Sequence, residues 1–371
     1  MRKTIFRGLL PALLALLLPL VACVDPGDSV GSTSGTAFYV FDGADSPSTG
    51  RIRVWNDANT VFANASAAPD RTISSTLLDK VKTLGWGGMC LDTNTNRLYL
   101  VSETGDVVRI EKVRNQSGTL SSTQDIVTFS LGSGSVDRLS NGKFGQAAVA
   151  PSTGTLYVTE TGDSEARVWV VASPGQYGLN GTVARQTIEM SGDKQGTGVA
   201  AWLGSVYAYF GDGNSVVSAD LTQYTGPRLR KGSASGFGLD LSSLNPIIGG
   251  STQLANYGSL GFDSGNNRLY LARHITDAST TGAPILVYPM GDFTIGLNQA
   301  PSKTLGDGTL YPNLRILSHG GNKDWLAAAT SNSGAAAGVV YLWRNPLSAS
   351  TPSTLNLSGA LVRGLAFDGS N

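Results

Sequence analysis

The sequence predicts an all-β fold built from repeated strand units, and three observations carry that expectation. The first is turn chemistry: glycine supplies 47 of 371 residues, which favours tight turns over helices. The second is a unit whose clearest copy runs from Gly87 to Val113. It reads as a small apolar strand at Gly88 to Leu91, an Asp/Thr/Asn turn, and an alternating strand at Arg97 to Ser102. A second turn at Glu103 to Asp106 leads into a third strand, Val107 to Val113. Short strands between Asx- and Gly-rich turns mark an antiparallel meander, which cannot bury both of its faces alone and so must stack on further copies. The third observation is that the two ends of the chain complement each other, as set out below.

Aligned on the second strand, the copies are Thr36 to Phe41, Arg97 to Ser102, Thr155 to Thr159, Ser205 to Phe210, Arg268 to Arg273 and Asp324 to Thr330. Their central aromatics Tyr39, Tyr99, Tyr157, Tyr207, Tyr270 and Trp325 recur at intervals of 60, 58, 50, 63 and 55 residues, near the period of a four-stranded propeller blade. Third strands follow at Arg51 to Trp55, Val107 to Glu111, Arg167 to Val171, Ser215 to Ala219, Ile285 to Tyr288 and Val339 to Trp343. Fourth strands carry Pro or Ala, a polar pair and Thr-Ile or Thr-Leu: Pro69 to Ile73, Ala184 to Ile188, Pro301 to Leu305 and Pro352 to Leu355. Looser versions stand at Gln124 to Phe129 and Gly226 to Lys231. Proline is tolerated at the start of an outermost strand because that edge need not donate every amide.

First strands, at Gly88 to Leu91, Gln146 to Ala150, Gly198 to Trp202, Ser259 to Phe262 and Arg315 to Ser318, are rich in Gly, Ala and Ser. Innermost strands converge on a narrow axis that excludes large side chains. The first unit has no such strand before it, while the chain ends in an orphan copy, Val362 to Asn371. Those two ends complete one blade between them, which removes exposed sheet edges. An open solenoid or a pair of sandwiches leaves the matched ends unexplained. The expectation is therefore a six-bladed β-propeller over 36–371, with four antiparallel strands per blade and the C-terminal strand joining the N-terminal blade.

The amino terminus stands apart. Arg2, Lys3 and Arg7 precede an apolar run from Leu9 to Leu20, a signal-peptide pattern too short for a spanning helix. Leu20-Val21-Ala22-Cys23 resembles a bacterial lipobox. The resemblance implies a signal peptide over 1–22, lipidation of Cys23, a tether over 23–35 and an extracytoplasmic place in the cell envelope. Val24 after the cysteine favours the outer membrane or cell surface. Removing 1–22 leaves 24 basic against 27 acidic residues, a net charge of −3, which argues against nucleic acid as a partner. Cys90 then remains the one free thiol and reads as a small buried hydrophobe. A monomer is expected.

The units resemble those of NHL- and YVTN-type propellers and of the gluconolactonase/regucalcin-like group. That fold hosts binding, scaffolding and catalysis alike. Strand alternation places the turns after each second strand, and the approach to each first strand, on one face of the disc. That face collects Asp42, Asp45, Glu103, Glu160, Asp163, Asp212, His274 and Asp277, with Trp86, Lys143, Phe144, Gln195, Asn256, Tyr257, Arg315 and Arg363 on the approach side. The candidate binding mouth is drawn from these: Asp42, Glu103, Glu160, Asp212, His274, Lys143, Tyr257, Arg315 and Arg363. The long connections 130–143 and 226–257 are further places for binding. The expected function is non-catalytic binding of a protein, small molecule or glycan, without a cofactor. The alternative is a lactonase-type hydrolase with Ca²⁺ or Zn²⁺ in the central channel. Glu103, Glu160, Asn256, Asn313 and Asp212 have suitable atoms for it, but no segment matches that family's ligand positions. His274 and His319 fall on opposite faces and read as surface or satisfied residues. No phosphate loop, nucleophile elbow or cysteine cluster occurs.

Overall fold

The structure, a computed structural model, describes residues 36–44, 50–132, 137–163, 166–183, 187–190, 196–202, 205–210, 228–235, 238–239, 245–247, 259–263, 265–266, 268–272, 285–289, 301–306, 314–320, 323–330, 338–348 and 351–368. For 85–87, 188–190, 196–202, 205–210, 228–235, 238–239, 245–247, 289 and 315 only the backbone is described. Residues 1–35, with the signal peptide, Cys23 and the tether, lie outside it.

Among the described residues the strands form six sheets. From the inside outward, sheet I is Val362–Phe367, Phe38–Asp42, Arg51–Trp55 and Arg71–Ser74. Sheet II is Leu84–Asp92, Arg97–Ser102, Asp106–Ile110 and Ile126–Leu131. Sheet III is Lys143–Val149, Leu156–Thr161, Ala166–Val171 and Thr187–Met190. Sheet V is Leu260–Asp263, Arg268–Ala272, Ile285–Pro289 and Lys303–Leu305, and sheet VI is Leu314–His319, Trp325–Thr330, Val339–Arg344 and Ser353–Asn356. Sheet IV begins with Gly196–Trp202 and Ser205–Phe210. Innermost strands touch their neighbours in the order I, II, III, IV, V, VI, and that of VI touches that of I. Sheets set radially about a shared axis in this way make a β-propeller.

The C-terminal strand pairs antiparallel with Phe38–Asp42, with Phe38 opposite Phe367 and Val40 opposite Leu365. The Phe38 and Phe367 rings lie 4.6 Å apart. Just beyond that strand, Asp368 accepts from Arg114 Nε at 2.5 Å and Nη2 at 2.6 Å.

Two expectations need correction. The sheets hold four or five strands, not four throughout. Gly118–Thr119, from the connection in unit II, pairs parallel with the outer strand of sheet I, and Gly181–Val183 pairs parallel with that of sheet II. Each addition covers an edge whose amides and carbonyls would otherwise lack partners. Two- and three-residue strands are too short to show a period in sequence. Second, Arg228–Ser235 lies directly beside Ser205–Phe210 and takes the third place in sheet IV, with Asn245–Ile247 fourth. Gly238–Leu239 folds back on its end. The sequence assigned the third place to Ser215 to Ala219, which lies outside the described residues. The longer strand can form more ladder bonds, and it overlaps Gly226 to Lys231, which the sequence assigned to the fourth place.

Alternation explains the burial. All five residues of Phe38–Asp42 are buried, because successive side chains point to opposite faces and both faces meet a neighbour. Tyr39 and Phe41 join Leu98 and Leu100 in the core between sheets I and II. Phe38 and Val40 join Trp325, Ala327 and Leu342 between VI and I. Tyr99 and Val101 pack with Val158 and Trp169 between II and III, and Tyr270 with Leu326 and Trp343 between V and VI. Burying each large side chain contributes roughly 1.5–3 kcal/mol, so the inter-sheet cores hold the disc together. A short helix, Asn59–Ala63, extends the core between VI and I by setting Phe62 5.2 Å from Trp325.

Polar side chains stitch the innermost strands. Leu317 N–H donates to Ser259 Oγ at 2.7 Å and Phe367 N–H to Ser318 Oγ at 3.3 Å. The Gln146 amide of sheet III bonds the Leu260 backbone of sheet V through both N–H and C=O, each at 2.6 Å. These bonds satisfy amides that an innermost strand cannot pair within its own sheet.

Candidate functional site

Two of the acids expected at the open mouth, Asp42 and Glu160, are turned inward. Asp42 ends the second strand of sheet I, and the antiparallel register sets Arg51 opposite it. Its carboxylate is buried at 1% exposure and lies 2.9 Å from both Arg51 Nε and Arg53 Nη2. Burial alone would raise its pKa. Donation from Leu361 N–H, Arg53, Ala44 N–H and Arg51 outweighs burial and holds the group below its ordinary value.

Glu160 occupies the corresponding place in sheet III, opposite Arg167. Its side chain is 0% exposed. It accepts from Arg167 Nε and Trp169 Nε1 at 2.6 Å and from Leu139 N–H at 2.9 Å. Gly142 approaches Glu160 Oε1 so closely that a Cβ there would collide with it. The 137–142 part of the 130–143 connection is thus anchored on sheet III, and Asn141 Nδ2 also donates to Asp163 Oδ2 at 2.9 Å. An antiparallel strand end brings an acid and the arginine opposite into contact, so these two carboxylates serve the frame and do not line an open mouth.

The other mouth residues divide. Glu103 is half-buried and Lys143 exposed, and the Glu103 carbonyl accepts from Phe144 N–H at 3.0 Å. Arg363 is half-buried on the innermost strand of sheet I, with its side chain beside Gly43. For Arg315 the backbone alone is described, and Asp212, His274 and Tyr257 lie outside the described residues. So do Asn256 and Asn313 of the lactonase-type set.

A central cavity of about 160 Å³ opens at the downstream ends of the innermost strands, away from the acidic turns. Met89, Leu91, Val149, Phe262, Leu317 and Phe367 line it together with the polar Gln146 and His319. Cys90 also lines it, and burial first, then the Asp92 carboxylate, pushes its thiol pKa up. The neutral thiol is a poor nucleophile.

His319 departs from its expected role. Its side chain is 2% exposed, and neither ring nitrogen makes a hydrogen bond. Nε2 lies 3.6 Å from Asp263 Oδ2. The ring stacks on Tyr270 at 5.5 Å and 14°. Asp263, His319 and Asp324 each offer one ligand atom, and these atoms all lie within 4.8 Å of one another. Burial lowers the His319 pKa to about 4, against the opposing pull of Asp263. Burial first and Asp263 second raise that of Asp324, while Arg268 lowers it.

This cluster was legible in part. His319 falls at the end of a first strand, where other copies place Asp92, Asp263 and Asp368. Aligning first-strand ends, in addition to second-strand aromatics, brings it into view.

No family model matches the chain, and no curated protein matches it. Solved structures do. A chain of the nidogen/laminin complex is similar at a TM-score of 0.53 and 9% identity, covering 90% of this chain and 98% of that one. TolB from Acinetobacter baumannii is similar at a TM-score of 0.52 and 11% identity, covering 91% of this chain and 67% of that one. What the chain shares with both is the β-propeller fold.

Proposed function

We propose that the protein is an envelope-anchored β-propeller that binds a protein, small molecule or glycan and performs no chemistry of its own. We further infer that the six sheets are the blades of one ring, closed by Val362–Phe367 on Phe38–Asp42. The anchor is the lipid on Cys23, and the tether holds the ring outside the cytoplasm as a monomer. One observation carries the binding role: two of the acids at the turns, and three polar side chains of the innermost strands, are committed to the frame. Asp42 and Glu160 sit in buried ion pairs, and Ser259, Ser318 and Gln146 bond neighbouring strands. A rigid frame with exposed turns and a central cavity suits recognition. That one similar fold comes from the nidogen/laminin complex, an assembly of two proteins, accords with this role.

Photo-crosslinking in intact cells tests it. A crosslinker replacing Lys143, exposed on the approach side, is expected to give a discrete adduct that is absent when the probe replaces Thr60 on the short helix. No adduct from Lys143, or the same adducts from both positions, overturns binding at the mouth.

A further inference from the structure

The niche between sheets V and VI has a counterpart between sheets I and II. In each, a second-strand tyrosine with a buried hydroxyl, Tyr270 or Tyr39, lies within electrostatic reach of the aspartate at the end of the same sheet's first strand, Asp263 or Asp368. Between I and II the neighbouring sheet supplies a cation: Arg114 binds Asp368 through two nitrogens. Between V and VI the neighbouring sheet supplies His319 and Asp324. Two carboxylates and an imidazole thus stand where the other niche holds one carboxylate and a guanidinium.

Arg268, opposite Asp263 in register, brings its charge to bear on Asp324, but its Nη1 makes no hydrogen bond. Both His319 nitrogens and Asp324 Oδ1 are also buried without a hydrogen-bond partner. Buried polar atoms left unpaired are costly, and more so when charged. A neutral imidazole and two carboxylates whose ligand atoms all lie within 4.8 Å of one another form an acceptor set that one cation satisfies.

We propose that Asp263, His319 and Asp324 bind one divalent transition-metal ion of the Zn²⁺ type, which joins sheets V and VI beside the central cavity. The donor set selects the class: imidazole nitrogen with two carboxylate oxygens suits Zn²⁺, whereas Ca²⁺ takes oxygen ligands. The second shell is in place. Asn266 N–H and Nδ2 donate to Asp263 at 3.0 and 2.9 Å, and the Tyr270 ring fixes the imidazole plane. The site does not depend on what the ring binds.

The test uses the full chain without an affinity tag, stripped by chelator and dialysed against Zn²⁺ alone. One Zn²⁺ per chain is expected, with a rise in thermal midpoint relative to chelator. His319→Gln and Asp324→Asn should each weaken binding at least tenfold and abolish the rise. His274→Gln, at the only other histidine of the two in the sequence, should leave both intact, and Ca²⁺ should not substitute. Circular dichroism checks that each variant is folded. Wild-type protein that takes up no Zn²⁺ overturns the site whatever the variants do. Equal affinity in His319→Gln and Asp324→Asn, or an equal response to Ca²⁺, does the same.

Discussion

At the scale of the residue, the fate of the acids is decided by what stands opposite them. Asp42 and Glu160 look like mouth carboxylates because each ends a strand before a turn. Antiparallel pairing sets Arg51 and Arg167 opposite them, and burial makes the pairs structural. Removing one partner of a buried ion pair leaves the other uncompensated, a loss of about 3–5 kcal/mol. Glu160→Gln, which strands Arg167, should therefore lower the unfolding free energy by about that amount in denaturant titration. Glu103→Gln, on a partly exposed turn, should stay within about 0.5 kcal/mol. Similar losses from both would return Glu160 to the surface.

At the scale of the element, the small residues of the innermost strands are required where strands touch and tolerated where they line space. A Cβ on Gly364 would lie 2.6 Å from Met89 Cβ, whereas one on Gly261 meets nothing nearer than 3.8 Å. Gly364→Ala forces overpacking against sheet II and should cost about 1–3 kcal/mol. Gly261→Ala, in a cavity wall with room for a methyl group, should gain about 0.4–1 kcal/mol by restricting the unfolded chain. Equilibrium unfolding of the two variants distinguishes them, and a matching penalty at Gly261 would mean that the axis is tight throughout. Sequence showed the glycine and alanine bias of these strands but not which members of it bear contact.

At the scale of the propeller as a whole, the decisive feature is that its first and last described strands pair. Val362–Phe367 lies against Phe38–Asp42 and contributes to the core between VI and I, while Asp368 holds Arg114 of unit II. Deleting Val362 to Asn371 should remove the innermost strand of sheet I, expose the edge of Phe38–Asp42 and drive aggregation. Size-exclusion chromatography with light scattering, alongside a thermal scan, checks it. A monomer that melts like the parent would show that the ends do not hold the disc.

The sequence by itself determined the all-β class, the radial repeat and the complementary ends. A period of two along strands and a period of about 60 along the chain are local and additive signals that survive in one dimension. Tertiary structure alone decided which polar residues face each other. The pairing of Glu160 with Arg167, the parallel strands borrowed by sheets I and II, and the meeting of Asp263 with His319 and Asp324 all arise between strands whose spacing no periodicity records. Electrostatics in a buried niche depends on distances of a few ångströms, and those distances are set only when the sheets pack.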